Sequence, residues 1–204
     1  MKIVNNFDLI KEKLHFNNLD EFYFIQILIR GKDGHTETGV NGNNKNRLIK
    51  YYTIKSLNHL ESVKNDIISI CDTLNARAYI HLTKRSFKEV SKVCLQHTVD
   101  TFLSENYEGL KGSFSTACGK SFITKDKKYI VDLDGDDVNK IDEYINFIET
   151  CEPLDHKKVL YTVPTLHGIH IITIPFNVAK FNSVYPNIDI HKNNPTLLYY
   201  KGLE

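Results

Sequence analysis

The chain has 204 residues, of which 41% are hydrophobic and 25% are charged, and its formal net charge is +1. These proportions are typical of globular proteins and exclude a disordered chain. The balanced charge does not point to any particular class of partner. No apolar run reaches the roughly 18–20 residues of a membrane helix, and the polar N-terminus lacks a signal-peptide pattern. We therefore expect a cytoplasmic protein with no membrane partner.

The four cysteines are too far apart in the sequence to form a metal-binding motif. They are Cys71, Cys94, Cys118 and Cys151, without a CxxC pair or a Cys-His pair at zinc spacing. A zinc ribbon and a disulfide scaffold are both excluded on this spacing, and buried thiols in a reducing compartment are expected instead.

The first 120 residues alternate between strand-like and helix-like patterns. Dense β-branched and aromatic residues predict strands, and apolar positions at helical spacing after a serine predict capped helices. The predicted order is a helix at 7–16, a strand at 22–30, a loop at 31–46, a strand at 47–55, a helix at 57–74, a strand at 76–82, a helix from 86 to about 104, and a glycine-bearing loop at 106–124.

The remaining residues predict more strands than helices. The order is a strand at 127–134, a helix at 138–148, a strand pair at 158–162 and 168–174, and short strands at 187–191 and 196–200. Helices mixed with hairpins indicate an α+β fold with a mixed or antiparallel sheet, and not a doubly wound parallel sheet.

The segment YIVDLDGDD places two carboxylates on one strand. Residues i and i+2 of a strand share a face, so Asp132 and Asp134 project side by side and repel each other unless a cation lies between them. Paired carboxylate oxygens suit Mg²⁺ or Mn²⁺. The alternative is a strand that ends in a polar turn, in which Asp136 or Asp137 caps the following helix.

Two other known patterns compete for the same segment. An EF-hand loop would use Asp132, Asp134, Asp136 and Glu143, but its sixth position, which favours glycine, is Asp137. A haloacid-dehalogenase-type phosphatase also uses a strand followed by DxDG, but it needs further motifs on a parallel sheet, for which about 70 residues are too few.

A second motif lies in KVLYTVPTLHGIHIITIPFN. A tight turn containing Thr165 and Gly168 leads into a strand that carries His170. If this hairpin lies beside the DxD strand, His170 would face a bound phosphate, and Gly168 would allow close backbone approach. Asp189, between Ile188 and Ile190, is a candidate third carboxylate. Each of these residues could equally be an ordinary strand or turn residue.

The order of these motifs resembles that of the archaeo-eukaryotic primase superfamily, the primase-polymerases. The matching elements are a strand with Asp132 and Asp134, a Gly-x-His strand with Gly168 and His170, and a hydrophobic-Asp strand with Asp189. The resemblance implies one domain over residues 1–204, with an N-terminal α/β subdomain (1–120) and an RRM-like metal- and nucleotide-binding subdomain (121–204).

The resemblance also implies an activity, a set of ligands and partners. Asp132, Asp134 and Asp189 would bind Mg²⁺ or Mn²⁺ for nucleotide transfer to a 3′-hydroxyl, and Thr165, Gly168 and His170 would bind a nucleoside triphosphate. Single-stranded or template DNA and a helicase or other replication protein are the implied partners. A non-catalytic nucleic-acid or replication-complex binding protein on the same fold, and a metal-dependent phosphatase or nuclease, are the alternatives.

A basic and aromatic stretch is the candidate nucleic-acid surface. Lys45, Arg47 and Lys50 interleave with Tyr51, and no acidic residue occurs from position 38 to 60. Cations and aromatic faces suit a phosphate backbone and stacked bases. The alternative is a solvated edge strand that lysines protect from pairing.

Overall fold

The computed structural model describes residues 3–31 and 46–202. Within these ranges the chain forms helices and two antiparallel sheets, as expected for an α+β fold. The helices are α1 (Phe7–Lys11), α2 (Leu57–Leu74), α3 (Phe87–Leu103), α4 (Ser113–Lys120), α5 (Ile141–Thr150) and α6 (Val178–Val184). Short 3₁₀ turns occupy Tyr107–Gly112, Thr124–Asp126 and Gly135–Lys140.

The strands divide between a five-stranded and a four-stranded sheet. They are β1 (Ile3–Asn5), β2 (Glu21–Ile29), β3 (Arg47–Ile54), β4 (Arg77–Ser86), β5 (Tyr129–Asp134), β6 (Val159–Pro164), β7 (Gly168–Thr173), β8 (Asp189–His191) and β9 (Thr196–Lys201). The first sheet has the order β1-β9-β4-β2-β3 and the second the order β6-β7-β5-β8.

The last strand joins the sheet of the N-terminal residues, across the subdomain boundary that the resemblance implies between residues 120 and 121. β9 pairs with β1 and β4, so the first sheet contains both ends of the described chain. Ile130, Val163 and Ile172 of the second sheet belong to the same buried cluster as side chains of α2 and the first sheet. The two sheets therefore share one hydrophobic core.

Side chains of β2 alternate between two packed faces, as the period of a strand requires. Tyr23, Ile25 and Ile27 lie in the cluster that includes α2, whereas Phe22 and Phe24 lie in the cluster with α3 and α4. The second sheet buries Val131, Leu133 and Ile171 on the side that faces α5 and α6. These layers leave the Asp132 side of the second sheet to face the first sheet.

The predicted loop at 106–124 is wrong, because most of this segment is helical. Its glycines suggested turns, but Phe114, Ala117 and Cys118 of α4 pack together against Phe22 and Phe24 of β2. Burial of this apolar face outweighs the local preference of glycine for turns. The predicted helix at 7–16 is also shorter, ending at Lys11, and β1 and α6 have no counterpart in the sequence prediction.

Two predicted helix starts agree with the cap geometry. The Ser56 hydroxyl accepts a hydrogen bond from the His59 amide at 3.1 Å, and the Ser86 hydroxyl accepts one from the Glu89 amide at 3.2 Å. Each satisfies a backbone donor that the first turn of a helix leaves unpaired.

Candidate functional site: a cleft between the two sheets

A cleft between the sheets is lined by four of the six residues proposed from the sequence for metal and nucleotide binding: Asp132, Asp134, Thr165 and His170. It consists of two adjoining cavities of about 110 and 390 Å³, of which the larger has the volume of a small-ligand pocket. Both cavities are lined by Arg30 and Tyr79 from the first sheet side and by Asp132 and His170 from the second. The smaller also contacts Arg77, Asp134, Thr165 and His167, and the larger also contacts Gln26, His191 and Asn194.

Asp132 lies at the centre of the second sheet, between two strands that carry other candidate residues. In the antiparallel register it is directly opposite His170 on β7 and Asp189 on β8. Asp134 is opposite Gly168, where β7 begins. Directly opposed residues project to the same face, so these side chains share the face that lines the cleft.

Two imidazoles flank the Asp132 carboxylate. His170 Nε2 is 3.2 Å from Oδ1, and His191 Nε2 is 3.8 Å from Oδ2. Burial alone would raise the pKa of Asp132, but the hydrogen bonds and positive charges of His170 and His191 outweigh it and hold that pKa far below its ordinary value. The contact with Asp132 in turn raises the pKa of His191, against the effect of partial burial. The carboxylate is therefore strongly favoured as the anion.

Both ring nitrogens of His170 are engaged by the protein. Nε2 faces Asp132, and Nδ1 shares a hydrogen bond of 2.7 Å with the Thr196 hydroxyl on β9. The sequence suggests that His170 faces a phosphate, and the structure puts it in the cleft with both nitrogens already in contact with other side chains. A phosphate at this position would have to replace one of these contacts.

The turn between β6 and β7 is fixed by Thr165 and Gly168. The Thr165 amide donates to the Gly168 carbonyl at 3.0 Å, and the Gly168 amide donates to the Thr165 hydroxyl at 3.0 Å. A Cβ on Gly168 would lie 1.8 Å from the Leu133 carbonyl oxygen. The glycine is thus required by the close approach of β5 to β7, a reason that the sequence did not reveal.

The three carboxylates have the chemistry that a divalent cation prefers, and they project from the same face of the second sheet. Their side chains do not, however, converge on one point. No group of three or more His, Cys, Asp or Glu side chains in residues 3–31 and 46–202 has an arrangement that could hold a metal ion. Asp132 and Asp134 line the smaller cavity, whereas Asp189 is exposed and its side chain lines neither cavity. Oxygen donors of this kind suit Mg²⁺ or Mn²⁺.

Two arginines and a histidine of the cleft were not among the site residues predicted from the sequence. Arg30 and Arg77 supply positive charge from the first sheet side, and the Arg77 guanidinium lies 4.5 Å from the centre of the Tyr200 ring. His191 follows Asp189 by two residues in the same short strand. The spacing of His191 was a usable signal, but the two arginines are brought to the cleft by sheet pairing, which the sequence does not display.

The residues proposed for nucleic-acid contact lie on or before the edge strand β3. Lys45 lies outside the described residues. Arg47 is exposed, and Lys50 is held by Asp66, with its ammonium 2.8 Å from Oδ2. The Tyr51 ring stacks on Phe114 of α4 at 5.5 Å between ring centres. Contact of these residues with nucleic acid stays a prediction.

A buried polar network is built around Arg85 and reaches the larger cavity through Gln26, whose Oε1 lies 3.3 Å from His81 Nε2. The Arg85 guanidinium is completely buried and donates to backbone carbonyls of Thr83 and Cys118, to the Asn193 side chain at 3.3 Å and to His81 Nδ1 at 3.0 Å. Because a guanidinium can only donate, His81 Nδ1 must accept and carries no proton. Burial, together with the charge of Arg85, lowers the pKa of His81 to about 3.

This network predicts that acid destabilises the protein through His81. The unfolded chain protonates His81 near pH 6.5, whereas the folded pKa of about 3 keeps it neutral, so stability falls as pH drops below 6.5. From pH 7 to pH 5 we expect this group to remove about 2 kcal/mol, at about 1.4 kcal/mol per pKa unit.

Urea unfolding of the wild type and of His81→Asn at both pH values measures this effect. Asn retains an acceptor for Arg85 but does not titrate, and all other groups cancel in the comparison. The free energy of unfolding should fall by about 2 kcal/mol more in the wild type than in the variant. Equal pH dependence in the two proteins would contradict the lowered pKa of His81.

None of the helices in the described part of the chain combines the length and the apolarity that a membrane crossing requires. The chain was also compared with family models, with curated proteins and with solved structures, and no match was found in any of the three comparisons.

Proposed function

We propose that the protein is a primase-polymerase-like nucleotidyltransferase acting in DNA replication or repair. The observation that carries the proposal is the sheet register, in which Asp132 has His170 on one side and Asp189 on the other. Three motifs that are separate in the sequence thus occupy neighbouring positions on one face. That face lines a cleft large enough for a small ligand.

The topology of the second sheet supports the RRM-like half that the resemblance implies. Its elements follow the order β5-α5-β6-β7-α6-β8, and its strands lie in the spatial order β6-β7-β5-β8. This β-α-β-β-α-β sequence is that of the ferredoxin-like split βαβ arrangement. In this proposal the first sheet supplies the opposite wall of the catalytic cleft.

In the proposed reaction each group in the cleft, and Asp189 beside it on the same face of the sheet, has a separate role. Asp132, Asp134 and Asp189 would hold Mg²⁺ or Mn²⁺, which when bound stabilises the charge of the transferring phosphoryl group. Arg30 and Arg77 would pair with phosphate oxygens of a nucleoside triphosphate, as guanidinium groups do. Thr165 and Gly168 fix the turn that places His170 beside Asp132.

Primer extension tests this proposal. Purified protein is incubated with a labelled primer-template and dNTPs or NTPs in Mg²⁺, in Mn²⁺ and in EDTA. We expect extension that requires the divalent ion and that Arg77→Gln reduces by about tenfold or more, because a charged hydrogen bond of about 1.5–3 kcal/mol is lost. Absence of extension with both ions and both nucleotide types would contradict the proposal.

A non-catalytic binding protein on the same fold is the second candidate. The observation that favours it is that both oxygens of the Asp132 carboxylate already contact imidazoles. In addition, no group of three or more ligand-type side chains among residues 3–31 and 46–202 could hold a metal ion. This candidate predicts nucleic-acid binding that is equal in Mg²⁺ and EDTA and no extension of any primer. The parallel sheet of a haloacid-dehalogenase-type phosphatase is contradicted, because the described strands of both sheets pair antiparallel.

A further inference from the structure

A group of lysines and aromatic rings lies outside the cleft, where the end of α4, the start of β5 and the end of β8 meet. The Lys127 ammonium lies 5.2 Å from the centre of the Phe122 ring and 5.4 Å from that of Tyr129, and Lys192 lies 5.9 Å from the same Tyr129 ring. Lys120 and Phe122 line a groove of about 530 Å³ beside α3. We name Lys120, Phe122, Lys127, Tyr129 and Lys192 the basic-aromatic strip.

The strip is one continuous surface although its members come from two distant segments. The Asn193 side chain donates to the Gly119 carbonyl at 2.7 Å, which fixes the segment containing Lys192 against the end of α4. One end of the strip also adjoins the cleft, because His191 and Asn194, on either side of this segment, line the larger cavity.

The nearby carboxylates leave the positive charge of the strip largely uncompensated. Asp126 forms an ion pair with Lys128, whose ammonium lies 3.0 Å from Oδ1, and its Oδ2 accepts a hydrogen bond from the Lys84 amide at 2.8 Å. Glu89, on the far side of the groove, is paired with Lys92 at 2.8 Å.

We propose that the basic-aromatic strip binds single-stranded nucleic acid and leads it to the cleft. Lysines provide phosphate contacts, and the half-buried rings of Phe122 and Tyr129 provide stacking for bases once Lys127 and Lys192, which lie over them, move to the phosphates. Cations combined with aromatic rings recognise single strands without sequence preference. The binding surface rests on the contacts given above. Only the direction of the strand, into the cleft, rests on the proposed function.

Fluorescence anisotropy in EDTA tests the strip separately from any metal-dependent chemistry. The probes are labelled 20-mers of dT and rU and a 20-base-pair DNA duplex. The double variant Lys127→Gln/Lys192→Gln should bind both single strands about tenfold less tightly at 0.1 M salt. Its plot of log affinity against log salt should be less steep by about 1.4, because each single-strand phosphate contact contributes about 0.7.

The aromatic members give a different signature. Phe122→Leu should weaken binding by about tenfold with an unchanged salt slope, since stacking of a base involves no counterion release. The matched control is Lys140→Gln/Lys157→Gln, which removes the same charge from exposed lysines before α5 and β6. The control should bind as the wild type does.

Three results would overturn the assignment. They are a wild type that binds neither single strand, a strip variant that behaves as the control does, and equal affinity for the duplex, which would show attraction to any polyanion. Absence of primer extension together with strip-dependent oligonucleotide binding would contradict only the proposed enzyme. Extension with normal binding by the Lys127→Gln/Lys192→Gln variant would contradict only the strip.

Discussion

Replacement of Asp132 by Asn should weaken Mn²⁺ binding by at least about a hundredfold and abolish primer extension. Loss of even an outer partner of a metal ligand costs about 10- to 100-fold in affinity, and Asp132 is the carboxylate at the centre of the proposed site. It is the acid whose neighbours across the ladder are His170 and Asp189. Calorimetric titration with Mn²⁺ and extension assays measure the two effects.

The matched control for this change is Asp136→Asn. Asp136 is exposed in the 3₁₀ turn that follows β5 and lines neither cavity, yet its replacement removes the same charge four residues along the chain. Mn²⁺ binding should be retained in this variant. Unchanged Mn²⁺ binding in Asp132→Asn, or no binding by the wild type, would contradict a metal site at Asp132.

Much of the secondary structure could be predicted because it depends on local patterns. The strand with Asp132 and the hairpin with His170 are each read from a few consecutive residues, and the helix after Ser56 is read from its cap and its apolar spacing. The same local reasoning failed at α4. The glycines indicated a loop there, but the segment is helical because its apolar face is buried against Phe22 and Phe24 of β2.

The candidate site could be predicted only in part, for a related reason. Alternation along β5 places Asp132 and Asp134 on one face, and that step requires no tertiary information. The approach of Arg30 and Arg77 depends on how the first sheet is packed against the second, which no local pattern encodes. The engagement of Asp132 by two imidazoles likewise depends on the β5-β7 and β5-β8 pairings.

Gly168 shows how a residue can be selected correctly for an incomplete reason. The sequence suggested that its lack of a side chain lets a ligand approach the backbone. In the structure the space is already filled by the backbone of β5, since a Cβ would lie 1.8 Å from the Leu133 carbonyl oxygen and 2.7 Å from Asp134 Oδ1. The residue therefore sets the spacing of the two strands that carry Asp132 and His170.

Gly168→Ala should consequently destabilise the protein by about 3 kcal/mol or more. Overpacking usually costs about 1–3 kcal/mol, and here the atom that is overlapped belongs to the backbone and cannot rotate away. Thermal unfolding should show a melting temperature lower by about 10 °C, at about 2–4 °C per kcal/mol for a chain of this size. Because β7 must separate from β5, the contact of His170 with Asp132 should loosen as well.

Gly119→Ala provides the matched control for this substitution. Gly119 lies in α4, and a Cβ there would meet nothing within 4 Å. Alanine is the better helix former by up to about 1 kcal/mol, so the melting temperature should stay constant or rise. If Gly168→Ala unfolds at the wild-type temperature, β5 and β7 do not approach as closely as the structure has them. The spacing that brings His170 to Asp132 would then need another cause.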